Sequence, residues 1–477
     1  MRLQSALKSA IKAPSTQYIV PTFIALLIMA VVALLFPSGV AASATNIYLA
    51  QDSAGAASGT ACADALPVSF FTSSANWGSG ANQIGPGTTV HLCGTITTAL
   101  SFQGSGASGN PVVLDGTGAT MDQTIIISGR SWDTIQNVTW QANYNLTPFV
   151  IELEHASNIV IQGNFLDSFL ANGNTGGGDI VWLGSNGGQT DTVDIKNNTF
   201  GYSSVSTNVQ SDVISTEGAT NVIVEGNVLT QRNPDNGQHN DLTQTFCKSA
   251  PACPAGTPAN WTIRYNKYVM NTTATNNKSW CMIENMGGTL LIYNNLFLGL
   301  QGDSAGNGCS ISGASGSPAP QTQVFYGNTF IALNGSMTNL IDCNYDVPCN
   351  VENNIVYTTA GSSNALKREV TKRNNNLWYG PASPSCSGFT GEICNEAPSF
   401  VNMATNNFSL QAGSPGISAA VNLGSPYNMG VAVGAAWPNP ALAAQASGTS
   451  WNMGAYSSGV SASQPLAPTD LTASVVN

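Results

Sequence analysis

The sequence predicts an all-β fold, a single-stranded parallel β-helix of about 9–12 coils. Three observations point there. One short pattern recurs from Asn158 to Tyr379: a large apolar residue, two variable residues, Asn, one residue, then another large apolar residue. No helical period interrupts it, and Gly, Asn and Ser flank each copy. The intervals between the recurring Asn residues are 34, 29, 39, 29, 33, 26 and 22 residues, so one spot is constant while the loops vary.

The copies are Ile161-Gln-Gly-Asn164-Phe-Leu166, Ile195-Lys-Asn-Asn198-Thr-Phe200, Val224-Glu-Gly-Asn227-Val-Leu229 and Ile263-Arg-Tyr-Asn266-Lys-Tyr268. They continue as Ile292-Tyr-Asn-Asn295-Leu-Phe297, Phe325-Tyr-Gly-Asn328-Thr-Phe330 and Val351-Glu-Asn-Asn354-Ile-Val356. Arg373-Asn-Asn-Asn376-Leu-Trp378 is a degenerate last copy, and Ile135-Gln-Asn-Val138-Thr-Trp140 an upstream one with Val at the Asn spot. Stacked Asn side chains bond amide to amide along such a column. On this reading Asn376 ends the ladder with a neighbour on one side only. The pattern resembles the right-handed parallel β-helix of the pectate-lyase-like superfamily, over roughly residues 88–420. That resemblance implies the handedness and a link to polysaccharides. It does not name a reaction, because lyases, hydrolases, epimerases, esterases, tailspikes and non-catalytic surface proteins share the fold.

Taken in order, the chain begins with a targeting segment, residues 1–44. Arg2, Lys8 and Lys12 precede an apolar run from Phe23 to Phe36, and Ala42-Ser43-Ala44 is a small-residue cleavage site. This is a secretory signal peptide. An uncleaved anchor is the alternative, since the apolar stretch nearly reaches membrane-spanning length. The protein is therefore expected outside the cell or on the envelope exterior, touching a membrane only through this segment if it stays. Residues 45–87 form an N-terminal cap over the open edge of the solenoid. Thr89-Val-His-Leu-Cys93 and Pro111-Val-Val-Leu-Asp115 open the β-helix of residues 88–420. Ala397-Pro-Ser-Phe400, Phe408-Ser-Leu410 and Gly413-Ser-Pro415 resemble the last coil of bacterial β-helix proteins. Residues 421–456 are a closing segment with an internal echo, Tyr427-Asn-Met-Gly430 and Trp451-Asn-Met-Gly454. Residues 457–477 read as a Ser-, Pro- and Ala-rich tail.

Ten cysteines lie beyond the signal, an even count that implies disulfides in an exported chain. Neighbours are expected to pair: Cys62 with Cys93, Cys247 with Cys253, Cys281 with Cys309, Cys343 with Cys349, and Cys386 with Cys394. No Cys-x-x-Cys occurs and the histidines are only His91, His155 and His239, so zinc is not expected. Charged residues are 8% of the chain, against about 25% in ordinary soluble proteins. Without the three basic residues of the signal, 11 Lys and Arg (14 minus 3) face 25 Asp and Glu. Such a balance repels polyanions and excludes nucleic acid as a partner. A polysaccharide is the expected partner and the chain is expected to act as a monomer.

Aligning the strand before each Asn-bearing strand gives Asp179-Ile-Val-Trp182, Asp212-Val-Ile-Ser215, Asp241-Leu-Thr-Gln244, Cys281-Met-Ile-Glu284 and Cys309-Ser-Ile-Ser312. Asp179, Asp212 and Asp241 then form one column, continued by the two cysteines. Stacked carboxylates do acid/base work on a glycosidic bond, or hold Ca²⁺ at Asp179, Asp212 and Asp241, or cap their own turns. No other cofactor is expected. Gln238-His239-Asn240-Asp241 opens the longest coil, and His239 lies two residues from Asp241 as a proton-transfer partner. The order Asp179, Asp212, His239 is similar to that of polygalacturonase-type hydrolases, which implies catalytic roles for these residues and an inverting mechanism. The paired Asp-Asp, the Gly-His-Gly and the Arg-Ile-Lys of that group are missing. Trp182, Gln244, Arg232, Lys248 and Glu284 are candidate substrate contacts, with Trp261 and Trp280 as further sugar-stacking aromatics. Two functions follow. One is cleavage of a polysaccharide, by hydrolysis in preference to elimination. The other is non-catalytic glycan binding or display.

Overall fold

The computed structural model describes residues 43–140, 149–169, 178–184, 189–202, 212–231, 240–247, 256–271, 278–300, 306–312, 320–333, 337–343, 348–359, 364–368, 370–445, 448 and 450–457. Three strands make each coil of a right-handed parallel β-helix. The strand before the recurring Asn lies in sheet I, the strand after it in sheet II, and the third in sheet III. The sheets hold 13, 12 and 10 strands, and consecutive coils supply consecutive strands. All pairings within the three sheets are parallel; Ile161 lies beside Ile195, Ile195 beside Val224, and Val224 beside Ile263. These aliphatic columns fill the interior, with Phe200, Leu229, Tyr268, Phe297 and Phe330 stacked opposite from sheet II.

The corner between sheets I and II carries the asparagine ladder. Each Asn side-chain amide donates to the Oδ1 of the next: Asn164 to Asn198 at 3.0 Å, Asn198 to Asn227 at 2.9 Å, Asn227 to Asn266 at 2.9 Å. The series runs on through Asn295, Asn328 and Asn354 to Asn376. The same Oδ1 also accepts the backbone N–H of the Asn one coil earlier, as between Asn198 and Asn227 at 2.9 Å. A second regularity precedes the ladder residue. Gly163, Asn197, Gly226, Tyr265, Asn294, Gly327, Asn353 and Asn375 all have φ between 53° and 66°. That left-handed conformation suits Gly and Asn, so the second of the two "variable" positions is constrained. Tyr265 is the exception, buried against Tyr293.

Asn376 is not a free end. Its amide donates to Glu392 Oε1 at 2.7 Å and its backbone N–H to the same oxygen at 3.2 Å. Trp378 Nε1 donates to Glu392 Oε2, and Arg373 Nε lies 3.2 Å from that oxygen. The fully buried Glu392 therefore terminates the ladder with a carboxylate, on a loop closed by Cys386–Cys394. Bridges Cys62–Cys93, Cys281–Cys309 and Cys343–Cys349 also form. Cys247 is disulfide-bonded, and the expected partner Cys253 lies outside the described residues.

The segment expected to close the end of the solenoid instead lies along its side. Outward positions of sheet II become apolar in the later coils: Leu296, Leu298, Ile331, Ile355 and Leu377. Phe400, Phe408, Val431, Trp451 and Met453 cover them as a second core. The left-handed corner residues hold this layer. Asn375 Nδ2 donates to Ala419 O at 2.9 Å and Asn353 Nδ2 to Val421 O at 2.8 Å. Trp437 Nε1 donates to Tyr265 O at 3.0 Å, and Asn439 N to Gly226 O at 2.8 Å. Among the described residues no helix is long and apolar enough to cross a membrane. The N-terminal apolar run and the 458–477 tail lie outside the described residues.

Because Glu392 gives Asn376 a second neighbour, Asn376→Leu should cost as much stability as Asn295→Leu, about 1–3 kcal/mol each from orphaned partners. Urea melts of the two variants check this. A clearly milder Asn376 variant would mean that Glu392 does not complete the ladder.

Candidate functional site

Sheet III carries the residues singled out for chemistry. Its strands begin at the corner with sheet II, where Asp179, Asp212 and Asp241 fall in one register column, since Val181 pairs with Ile214 and Ile214 with Thr243. The column does not continue into the cysteines. Gln244 pairs with Met282 and Asp241 with Ser279, so the next members are Ser279 and Asn307. Cys281 and Cys309 sit two positions further on, paired with each other and fully buried in the core. The expected continuation was a slip of two residues, which preserves the facing of side chains and so hides in the pattern.

The three aspartates are buried, the most exposed being Asp179 at 8%. Asp179 Oδ1 accepts the backbone N–H of Asp212 at 2.9 Å, and its Oδ2 accepts the Ser215 hydroxyl at 2.5 Å. Asp212 Oδ1 accepts the backbone N–H of Asp241 at 2.7 Å. Asp241 lies beside Ser279 of the next coil in the same register. The column is thus a carboxylate counterpart of the asparagine ladder, at a different corner. Burial pushes the Asp179 carboxyl up to about 6, against the pull of Ser215 and the Asp212 amide, and raises Asp241 well above the ordinary carboxylate range. Among the described residues no group of His, Cys, Asp and Glu is arranged to hold a metal ion. His239, Arg232 and Lys248 lie outside the described residues.

The outward face of sheet III brings other candidates together. One column runs Glu152, Trp182, Ser215, Gln244, Met282, Ser310 and Asp342. Trp182 and Gln244 therefore share a column, two coils apart. Glu284 lies in the neighbouring column beside Ser312, whose hydroxyl donates to its Oε1 at 3.1 Å. Trp182 does not offer a free ring face. Phe149 stacks on it at 5.1 Å and Phe246 tilts against it at 5.7 Å. Its indole lies over Gly184, where a Cβ would meet Nε1 at 2.2 Å. Trp261 and Trp280 are fully buried and belong to the core, contrary to the sugar-stacking expectation.

Sequence reasoning missed Glu152 and Glu154. They alternate with the core residues Ile151 and Leu153, so both project outward. Burial, the charge of Glu154 and a hydrogen bond from one carboxyl to the other hold Glu152 at about 7. The alternation in Phe149-Val-Ile-Glu-Leu-Glu154 was the available signal. A small pocket lined by Asn294, Tyr326, Tyr427 and Trp451 among others lies under the C-terminal layer on the ladder corner, away from this face.

No protein-family model and no curated protein matches the sequence. Among solved structures, a pectate lyase, Pel9A, aligns with a TM-score of 0.45 and 13% identity, over 80% of this chain and 92% of its own. An alginate lyase of family PL6, AlyGC, aligns at 0.31 and 11%, over 69% and 55%. The tailspike of E. coli bacteriophage HK620, solved with a pentasaccharide, aligns at 0.29 and 9%, over 65% and 59%.

The raised carboxyl of Asp179 has a definite consequence for stability. A folded-state pKa of about 6, above the unfolded value, gives stability that is complete below the ordinary carboxylate range and lost as pH rises through about 6. Asp179→Asn keeps an acceptor for the Asp212 amide and removes the titration. The variant should match the parent at pH 4 and exceed it at pH 8 in thermal melts, by about 1 kcal/mol or more. Equal melts at both pH values would show that the carboxylate is solvated.

Proposed function

We propose that the chain is an exported polysaccharide-acting protein, and that the outward face of sheet III cleaves a glycosidic bond by hydrolysis. The observation that carries this reading is Glu152. It is a surface carboxyl held protonated near neutral pH, beside the Phe149–Trp182–Phe246 wall. A general acid needs a pKa near the working pH and access to the leaving oxygen. Glu152 has both, whereas Asp179, Asp212 and Asp241 are buried, the first two with an oxygen bonded to the backbone.

Glu154 is too close to serve as the second carboxyl of a glycosidase, since the two share a hydrogen bond. Inverting hydrolysis places its carboxyls about 6.5–9.5 Å apart, with water between. Glu217 follows Thr216, whose partner Leu183 is itself paired with Leu153, so it lies two coils from the Glu152 strand. Two steps at about 4.8 Å set the backbones about 10 Å apart along the axis, just beyond that spacing before the side chains turn towards each other, and Glu217 is the proposed water-activating partner. Elimination is disfavoured by charge. A lyase acting on a uronate needs a cationic base and neutralisation of the uronate carboxylate. The described outward columns carry Glu152, Glu154 and Glu284, and Lys367 and Arg368 at the far end of the same face are paired with Asp342. The acidic face suits a neutral glycan.

The test is product release from a panel of neutral β-glucans, mannans and xylans beside polygalacturonate. Hydrolysis should release reducing ends from a neutral substrate, at a rate that falls as pH rises through about 7 as Glu152 loses its proton. Glu152→Gln should lower kcat by roughly 10²-fold or more, while Asp212→Asn should leave kcat within a few-fold. Unsaturated uronate products would replace this reading with elimination. A loss of turnover in Asp212→Asn with a native fold would return the chemistry to the aspartate column. The second reading, a binding scaffold, rests on the backbone bonding of that column, and predicts retardation in glycan-affinity gels with no product.

A further inference from the structure

Ser43, Ala44 and Thr45 precede the strand Asn46–Ala50 of sheet I, and each is bonded into the fold. Ser43 Oγ donates to Pro86 O at 2.8 Å. Ala44 N donates to Gln83 O at 3.1 Å, and Ala44 O accepts the Thr88 hydroxyl at 2.6 Å. Thr45 O accepts the backbone N–H of Thr89 at 2.9 Å. Ala44 also packs against the main core. What these residues hold is a turn. Thr88 N donates to Gly85 O at 2.9 Å, with Pro86 second in the turn and Gly87 third at a φ of 85°. Pro followed by a left-handed Gly makes a type II turn, and this one leads into the strand Thr89–Cys93. Thr88 has no exposed surface, and its hydroxyl accepts from Gly85 N at 3.0 Å while donating to Ala44 O. Ser43 lies against the same turn, so close that a Cβ on Gly85 would meet Ser43 Cβ at 3.1 Å.

The sequence offers two small-residue cleavage sites in succession, Val40-Ala-Ala42 before Ser43 and Ala42-Ser-Ala44 before Thr45. Small side chains alone do not separate them, but the fold does. A cut after Ala44 removes both residues that hold the turn, and takes from the buried Thr88 hydroxyl its acceptor. A cut after Ala42 keeps every one of these contacts. We propose that a signal peptidase cuts the chain between Ala42 and Ser43, and that Ser43 is the mature N-terminus. The site expected from the Ala42-Ser43-Ala44 pattern alone lies two residues later. The step is a hydrolysis with water as co-reactant. The bond from Ala42 C to Ser43 N breaks, Ala42 leaves with the added oxygen as a carboxylate, and Ser43 N takes up the protons as an α-ammonium. Ser43 and Ala44 then serve as the first clamp of the solenoid, pinning the turn before Thr89. This inference rests on the export named under the proposed function and is independent of the glycan chemistry.

The test is to express the full-length chain with its own leader in an exporting bacterial host. The exported protein is purified in the folded state and read by Edman degradation and intact mass. The expected first cycles are Ser-Ala-Thr-Asn, from Ser43 onward. Exported protein that reads Thr-Asn-Ile-Tyr, beginning at Thr45, would overturn this inference and leave the export reading standing. A chain that keeps residues 1–42 and is held in the membrane would overturn it as well. Precursor retained in the cytoplasm would remove the export reading and this inference together. Ala44→Gln separates the two sites, because a bulky side chain directly before Thr45 obstructs only the later one. Its product should still begin at Ser43, in the parent's yield of cut chain. Accumulation of uncut Ala44→Gln precursor would show that the later site is the one used.

Discussion

Everything in this fold hangs on one corner. A parallel β-helix must turn its chain at a fixed place in every coil while burying the backbone groups of that turn. Here the turn is made by a left-handed residue followed by a buried Asn. The Asn Oδ1 satisfies the backbone N–H of the Asn one coil earlier, and its amide passes the same service along. The column tolerates no change of register, because each member is both donor and acceptor. Loops can therefore vary between 22- and 39-residue repeats at the other corners without disturbing this one. The only change in chemistry comes at the end, where a donor has no further Asn to meet. Glu392 supplies two acceptor oxygens and no donor, which suits a terminus.

The same corner organises the second layer. The left-handed residues point their side chains or carbonyls outward, where an isolated solenoid would leave them to water. In this chain the residues from Ala419 to Asn439 bind them one after another, walking back from Asn375 towards Gly226. The apolar outer face of sheet II then needs a cover, and residues 400–457 provide it. Strands buried on both sides read as continuous apolar runs. Leu296-Phe-Leu298 and Ile355-Val356 are such runs, whereas earlier copies place Thr199 or Lys267 outward.

The architecture was legible because the Asn and its apolar neighbours recur in the sequence itself. The left-handed position was equally visible, as Gly or Asn in all copies but one, yet Tyr265 disguised it as a variable site. Glu392 was not legible: it lies outside the repeat and reaches the ladder only through a disulfide-closed loop. The three-member aspartate column emerged correctly from alignment. Its extension failed because Asp241 stands three residues before the outward Gln244, whereas Cys281 stands only one before Met282, the register partner of Gln244. The trio Asp179, Asp212 and Asp241 looked chemical because carboxylates repel when stacked. Backbone bonds explain the stacking instead, as Asp179 and Asp212 each present an oxygen to the amide of the next coil. Glu152 escaped notice because its coil is the one in which Val138 replaces Asn, so no repeat drew the eye to it.

Carboxyl groups in this chain thus divide by what surrounds them. Asp133 stands in the core column between Val112 and Ile159, with Oδ1 accepting from Gly106 N at 3.1 Å, and burial pushes it up to about 8. Asp179 is buried but receives two donors, and rises only to about 6. Glu152 is half-exposed, and reaches about 7 with help from the neighbouring charge of Glu154. All three retain a proton at higher pH than an ordinary carboxyl, but only one can give it to a molecule outside. Asp133 is sealed in the core, and Asp179 is turned to the amide of the next coil. A perturbed titration marks a functional group only when the group is also accessible, and of these three carboxyls only Glu152 stands at the surface.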